Sequence, residues 1–407
     1  MPRINISEFR TDEGSQDPFS PIKLRKLLLK NRFIKSATYE GMYRGGMPAG
    51  QLIDFHTRIA LGGVGMTTVA YGAVNNAGRT HDEQMYLHEG VLEPLQQLTD
   101  SVHQYQCAAS IQLTHCGYFS KNKQLAGKKT LAPSRRMNMY GFMEGMFFSK
   151  SMDAGEIIGT AEDFARAAVL AKSAGFDAVE IHMGHGYLIS QFLSPIINSR
   201  TDDYGGTLQN RLRFPLMVLE RIRNAVGGDF PVLCKMNLDD GFRGGLKIDE
   251  SIQIAAALEN AGADALILSG GYTSRTPFYL MRGDIPLTQM IRAESQMLQK
   301  IALAVFGRII IRKYPFAENF FLPLAGKIRE AVKMPVVYLG GVVSSEGINR
   351  IMNEGFDMIA LGRALIHDPD FIKKIRGNRS FISPCNHCNL CVAEMDHSGV
   401  RCLIDEK

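Results

Sequence analysis

At 407 residues, 45% of them hydrophobic and 21% charged, the chain holds enough apolar material for a large core and too much for intrinsic disorder. A net charge of +5, with no run of Lys or Arg longer than two or three, argues against a nucleic-acid role. No stretch reaches the ~18 apolar residues of a membrane span, and the polar start MPRINISEFRTDEG has no signal-peptide core, so a cytoplasmic protein without membrane contact is expected.

In chain order, apolar runs at 31–38, 66–71, 107–115, 177–183, 230–238, 264–270, 335–340 and 357–362 read as buried strands. Three of them share one frame: 172-KSAGFDAVEIH-182, 259-ENAGADALILS-269 and 352-MNEGFDMIALG-362. Each is a helix end, a glycine suited to the left-handed turn that closes a helix (Gly175, Gly262, Gly355), an Asp (Asp177, Asp264, Asp357) and an apolar run. A fourth, 60-ALGGVGMTTVA-70, follows the plan without the Asp. Helical patterns lie between the strands; Thr160 followed by Asp163 reads as a helix start, with Phe164, Ala167, Ala168 and Ala171 on one face. Eight such units imply an α/β fold, a single-domain (β/α)8 TIM barrel over residues 1–376, followed by a cysteine-bearing tail over 377–407. An open doubly wound sheet is the alternative. Two connections are too long for a plain barrel, 120–155 and 272–319, and both follow strands, on the face where barrels keep their active sites.

Chemistry concentrates at strand ends. In 335-PVVYLGGVVSSEGINRIM-352, Gly340 and Gly341 let backbone N–H groups approach an anion ahead of a helix beginning near Ser344 or Ser345, and Arg363 offers a fork of donors after the next strand. The segment 182-HMGHGY-187 ends the fourth strand. His182 and His185 suit a metal pair, though no further ligand stands nearby, or a pair of donors to one substrate oxygen. Tyr187 stays protonated at neutral pH and can give up a proton. Gln112 and Lys235 interrupt apolar runs, and a buried amide and a buried cation need partners.

The stretch 182-HMGHGYLISQFLSPIINSRTDDYGGTLQNRLRF-214, with 31-NRFIKSAT-38, 111-IQLTHCG-117, 338-YLGG-341 and 361-LGR-363, closely resembles the Old Yellow Enzyme family of FMN-dependent ene-reductases. The likeness runs over roughly residues 18–376. It implies FMN as cofactor, NAD(P)H as reductant and an enone-type small molecule as substrate. Ala37 and Thr38 would then pack on the flavin ring, Gln112 would bond its pyrimidine edge, and Lys235 would stand where the family usually has Arg. Gly341, Gly362 and Arg363 would hold the phosphate, His182 and His185 the substrate oxygen, and Tyr187 would donate the proton. Tyr39 and Tyr71 depart from the smaller residues usual at their positions beside the flavin. A homo-oligomer is expected.

The tail carries Cys385, Cys388, Cys391 and Cys402. Four thiolates at this spacing suit a 4Fe-4S cluster or zinc, and the pattern resembles the multidomain branch that includes 2,4-dienoyl-CoA reductase and trimethylamine dehydrogenase; unoccupied thiols are the remaining reading. The expected activity is hydride transfer from NAD(P)H to an α,β-unsaturated carbonyl. The alternatives are an amine or alcohol dehydrogenase passing electrons through the cluster, and a non-catalytic flavin-binding module. The Met- and Phe-rich 137–152 loop reads either as pocket lining for a greasy substrate or as a loop packed on its neighbours. The segment 290–314 reads as a helix covering the barrel rim, with contact to a membrane or another subunit as the other reading.

Overall fold

The computed structural model describes residues 16–125, 129–294, 297–395 and 397–404. The N-terminal stretch on which the expectation of a leaderless chain rests lies outside these residues.

Eight parallel strands close into a barrel: β1 Phe33–Lys35, β2 Met66–Ala73, β3 Ala108–Thr114, β4 Ala178–Met183, β5 Val232–Asn237, β6 Ala265–Ser269, β7 Val336–Leu339 and β8 Met358–Leu361. Each lies within or close to an apolar run of the sequence, and β8 pairs with β1 to close the ring. Between them run α1 Gly50–Leu61, α2 Leu92–His103, α3 Ala154–Ser173, α4 Leu208–Val226, α5 Ile248–Asn260, α6 Leu322–Ala331 and α7 Ser345–Asn353, with α8 Phe371–Gly377 after β8. The closed ring excludes the open doubly wound sheet. A hairpin that the sequence did not reveal, Ile22–Leu24 with Leu27–Leu29, sends Leu24 and Leu29 into an apolar plug with Ile34, Met66, Leu233, Ile267, Val337 and Met358.

The repeated frame has a physical purpose. Gly175, Gly262 and Gly355 take φ of +84°, +85° and +80° and close their helices. Each following Asp accepts a backbone N–H from the neighbouring barrel strand or the residue next to it: Asp177 from Ala109 at 2.8 Å, Asp264 from Val232 at 2.7 Å and Asp357 from Val336 at 2.9 Å. Each also meets a side chain from an adjacent helix, His103, Arg223 and Arg329 in turn. The Asp thus ties two strands and a helix together at the end of the barrel opposite the site.

Helix α3 begins earlier than Thr160. Asp153 accepts from the Glu156 N–H and the Glu156 carboxylate accepts from the Asp153 N–H, both at 2.9 Å, a reciprocal cap that sets the start at Ala154. Thr160 lies inside the helix, its hydroxyl donating back to the Glu156 carbonyl at 2.7 Å. The face of Phe164, Ala167, Ala168 and Ala171 is buried as expected.

The two long connections rise beside the C-terminal face. The first is pinned at its base by pairing of Leu131–Ala132 with Lys150–Ser151. Between them Met139, Phe142 and Phe147 point to solvent, while Asn138 and Met146 are buried. The second forms two helices, Leu287–Ala293 and Met297–Ile310. The latter does not lie down on the rim as a cover. Its Met297, Ile301, Val305, Phe306, Ile309 and Ile310 are all exposed, and Gly307 is buried where it faces Leu287. No helix among the described residues is long and apolar enough to cross a membrane.

Candidate active site

Side chains alternate along β4, so Ala178, Glu180 and His182 share its inner face. Ala178 joins the apolar plug, and above it the polar residues begin. Glu180 lies between two inward neighbours, with Lys235 Nζ at 2.9 Å and the Gln112 amide donating to its Oε1. Lys235 also donates to Ser36 Oγ at 3.2 Å. The partners that Gln112 and Lys235 require are therefore supplied in part by one carboxylate, itself buried. Glu180 interrupts its apolar run as Gln112 and Lys235 do theirs; the same reading of the sequence would have found it.

The backbone then breaks out of the strand. His185 adopts φ +56°, an uncommon conformation for a non-glycine residue. It is held there by its N–H donating to Asn237 Oδ1 at 3.1 Å and its carbonyl accepting from Thr273 N at 2.9 Å. Gly186 follows at φ +81°, and a Cβ on it would strike the Tyr272 ring at 2.5 Å, so the close approach of Tyr272 demands glycine. This kink brings the three polar residues of the motif together. The His182 and His185 rings lie 4.9 Å apart, and the His182 and Tyr187 rings 4.3 Å. His185 Nε2 pairs with Ser269 Oγ at 2.7 Å, whereas His182 Nδ1 is buried without a partner among the described residues.

Burial governs the charge state of this group. It pushes His182 well below the usual imidazole range and His185 down to about 3, with Lys235 adding to the effect on both. Both rings are neutral at physiological pH, and each carries one N–H. Burial, reinforced by Tyr71, pushes the Tyr187 phenol up, so it keeps its proton.

A cavity of about 250 Å³ connects these groups. It is lined by Ala37, Thr38, Tyr39, Tyr71, Gln112, His182, His185, Tyr187, Lys235, Gly340, Gly341, Gly362 and Arg363. Every catalytic and cofactor-binding residue singled out from the sequence thus faces one space. Tyr39 stands 5.2 Å from Tyr71, ring to ring, and Tyr71 the same distance from Tyr187. No residue of the 137–152 loop lines this cavity, contrary to its reading as pocket lining, because the loop turns outward from its base.

At the far end, Arg363 donates to the Arg282 carbonyl and to Asn389 Oδ1, both at 2.7 Å. Burial lowers its pKa, and among the described residues it makes no ion pair with a carboxylate. A largely buried guanidinium bonded to neutral acceptors suits an anion. The N-terminus of α7 is not available for one. Glu318 Oε1 takes the N–H groups of Val343 and Ser344 at 3.1 and 2.9 Å, a carboxylate from a distant loop that no local pattern discloses. The anion site is thereby confined to the glycines and Arg363. A Cβ on Gly362 would have only Thr38 Cγ2 near it, at 3.7 Å, so the backbone there borders open space.

These features fit FMN: neutral donors, a lysine and an amide at one end, and at the other, beside glycines, an arginine with no carboxylate partner among the described residues. They do not extend to a metal centre. Among the described residues no three His, Cys, Asp or Glu side chains converge to hold a metal ion, and the His182–His185 pair gains no further ligand. Among the described residues none of the four tail cysteines forms a disulfide. Burial pushes Cys391 up to about 12, and Cys402 Sγ stands 3.1 Å from His367 Nδ1. Cys391, Val392, Met395 and Val400 nevertheless form one wall of the cavity.

Comparison with known proteins agrees with this geometry. The NADH:flavin oxidoreductase / NADH oxidase family matches residues 17–275. The 4,4'-dithiodibutanoate disulfide reductase of Rhodococcus erythropolis is 39% identical over 388 residues, 95% of this chain and 94% of that protein. The NADH oxidase of Thermoanaerobacter brockii is 30% identical over 95% of this chain but 55% of its own length. Among solved structures, a 2-naphthoyl-CoA reductase complex superposes with a TM-score of 0.78 at 24% identity, covering 95% of this chain and 56% of that one. The chain therefore spans nearly the whole of the first relative and little more than half of the other two. It belongs to the NADH:flavin oxidoreductase / NADH oxidase family, and it is an oxidoreductase.

Proposed function

We propose that the protein binds FMN in this cavity and reduces an α,β-unsaturated carbonyl compound at the expense of NAD(P)H. The observation that carries the reading is the convergence of His182, His185 and Tyr187 above a cavity whose floor holds Lys235 and Gln112. Ala37, Thr38, Gln112 and Lys235 would hold the ring, and Gly340, Gly341, Gly362 and Arg363 the phosphate, with Tyr39 and Tyr71 narrowing the space above. Bound there, FMN supplies the hydride that the nicotinamide provides.

The chain's own residues do the rest. His182 and His185, both neutral, aim N–H donors at the carbonyl oxygen and stabilise the enolate that develops as the β-carbon receives hydride. Tyr187 gives its proton to the α-carbon. Its high pKa keeps the proton in place until carbanion character appears.

A second reading has its own support. The relative that matches this chain at 39% identity is named a disulfide reductase. A disulfide in the same place would accept hydride at one sulfur and expel the other as a thiolate, which Tyr187 would protonate. The two readings differ only in the oxidant.

Anaerobic stopped-flow measurement tests both. NADH or NADPH bleaches the flavin absorbance, and 2-cyclohexenone or a dialkyl disulfide restores it. Tyr187→Phe slows reoxidation by the enone about 10²- to 10⁴-fold and leaves bleaching unchanged. Absence of bleaching with either nucleotide refutes the reading, and reoxidation by the disulfide alone moves it to the second.

A further inference from the structure

Among the described residues, thirteen of the nineteen exposed large apolar side chains fall in two segments, 137–148 and 297–310. A folded monomer seldom gathers so much apolar surface without a use for it. The helix Met297–Ile310 is the extreme case. Ile301, Val305 and Ile309 recur at four-residue spacing with exposures of 53%, 60% and 81%, and Phe306 and Ile310 broaden the face. A helix apolar over most of its circumference is ordinarily buried in a core or in lipid; this one has neither.

The two segments are neighbours. Glu144 of the first, Gln299 of the second and Glu294 just ahead of it line a common cavity of about 400 Å³. Tyr39 lines both that cavity and the catalytic one. The apolar segments therefore form a collar beside a cavity that shares Tyr39 and Met395 with the catalytic one. The helix and the two residues after it supply the cationic fringe: they carry Lys300, Arg308 and Arg312 and no acidic residue, with Arg308 and Arg312 exposed, whereas the shared cavity is mixed, with Lys121 and Lys123 beside Asp82, Glu83, Glu144 and Glu294.

We propose that this collar docks on the acidic surface of a lipid bilayer, the helix Met297–Ile310 lying in the interface plane with its apolar face among the acyl chains. Charge selects the occupant. A second copy packed about a two-fold axis would set the same cationic fringe against itself, whereas acidic headgroups supply the opposite sign. Docking would open the cavity mouth toward the lipid and admit apolar substrates. That last step rests on the function proposed above; lipid binding does not.

The test is co-sedimentation of the full-length protein with vesicles of phosphatidylcholine, alone or mixed with phosphatidylglycerol. Binding is expected to the acidic vesicles and to fall as salt is raised. The paired change Ile301→Glu with Ile309→Glu reduces it about tenfold, with melting temperature and turnover of a water-soluble oxidant unchanged. Arg308→Gln with Arg312→Gln removes the preference for acidic lipid. Failure to bind either vesicle overturns the proposal. So does equal binding to both, and so does a concentration-dependent dimer in sedimentation velocity that Ile309→Glu dissociates. Loss of flavin turnover with vesicle binding intact would count against the proposed reaction and leave the docking surface standing.

Discussion

Lys235 and Glu180 are each 1% exposed, and in that environment each charge is balanced by the other. Replacing Glu180 by Gln leaves the Lys235 charge without its counter-ion and should destabilise the fold by about 3–5 kcal/mol, read as a shift in the urea midpoint. With FMN bound, the same change should raise the flavin's reduction potential, because a lone cation favours the reduced, anionic ring. In a Lys235→Met background Glu180→Gln should lose its effect on the potential, which a purely structural role would not predict. The histidines give a second expectation. His185 is pushed down to about 3 and His182 well below its usual range, both chiefly by burial, while Tyr187 is pushed up. None of the three changes charge between about pH 5 and about pH 9, so the rate of enone reduction should be flat across that span. A step near pH 6.5 that disappears in His182→Asn would contradict it. Most of these residues were legible in the sequence because a polar side chain at a strand end stands out against its apolar neighbours. Ser269 was not, since a serine closing a strand looks like any turn residue until its hydroxyl is seen 2.7 Å from His185.

Strands and helices were legible where periodicity alone decides them. Boundaries were not, because they depend on caps. Asp153 and Glu156 outweigh Thr160 and Asp163 as the start of α3 through two reciprocal bonds, and Asp153→Ala should lower the melting temperature and fray the first turn of α3 in hydrogen exchange. The repeated Asp shows how a pattern can be visible before its purpose. Its spacing marks the end of each helix, but only the barrel shows that Asp264 serves Val232 on one side and Arg223 on the other. Asp264→Ala removes an acceptor from a buried N–H and a partner from Arg223. A loss of about 2–4 kcal/mol is expected, with accelerated hydrogen exchange at Val232 as its local signature. The segment 290–314 was read as one helix covering the rim; it forms parts of two, Leu287–Ala293 and Met297–Ile310, and the second leaves its apolar face exposed, since a helical pattern does not say which body that face will meet.

Across the whole molecule, buried imidazoles tie stability to pH. Burial pushes His81 and His115 down to about 4 and His185 to about 3, and lowers His182 as well. In the unfolded chain the same groups titrate near 6.5. Their contribution is therefore complete above about pH 6.5 and drains away as pH falls through the folded values, since only the unfolded state takes up the protons. His103, raised by its hydrogen bond to Asp177, works in the other direction, but at 39% exposure its effect is small. The urea midpoint should hold steady from pH 8 to pH 7 and decline below about pH 6.5; a midpoint unchanged down to pH 5 would show that these rings are not neutral and buried in solution.

The wall contributed by Cys391, Val392, Met395 and Val400 has a consequence in time. Asn389 bridges the carbonyls of Met281 and Asp284 to Arg363, so the chain that follows it is drawn across the Arg363 end of the cavity. All eight strands are made before residue 362, and that side of the cavity cannot exist until residues 389–400 have followed them. During synthesis the pocket thus passes from an open trough to a closed chamber, and a bulky cofactor finds its widest entrance before the tail comes down.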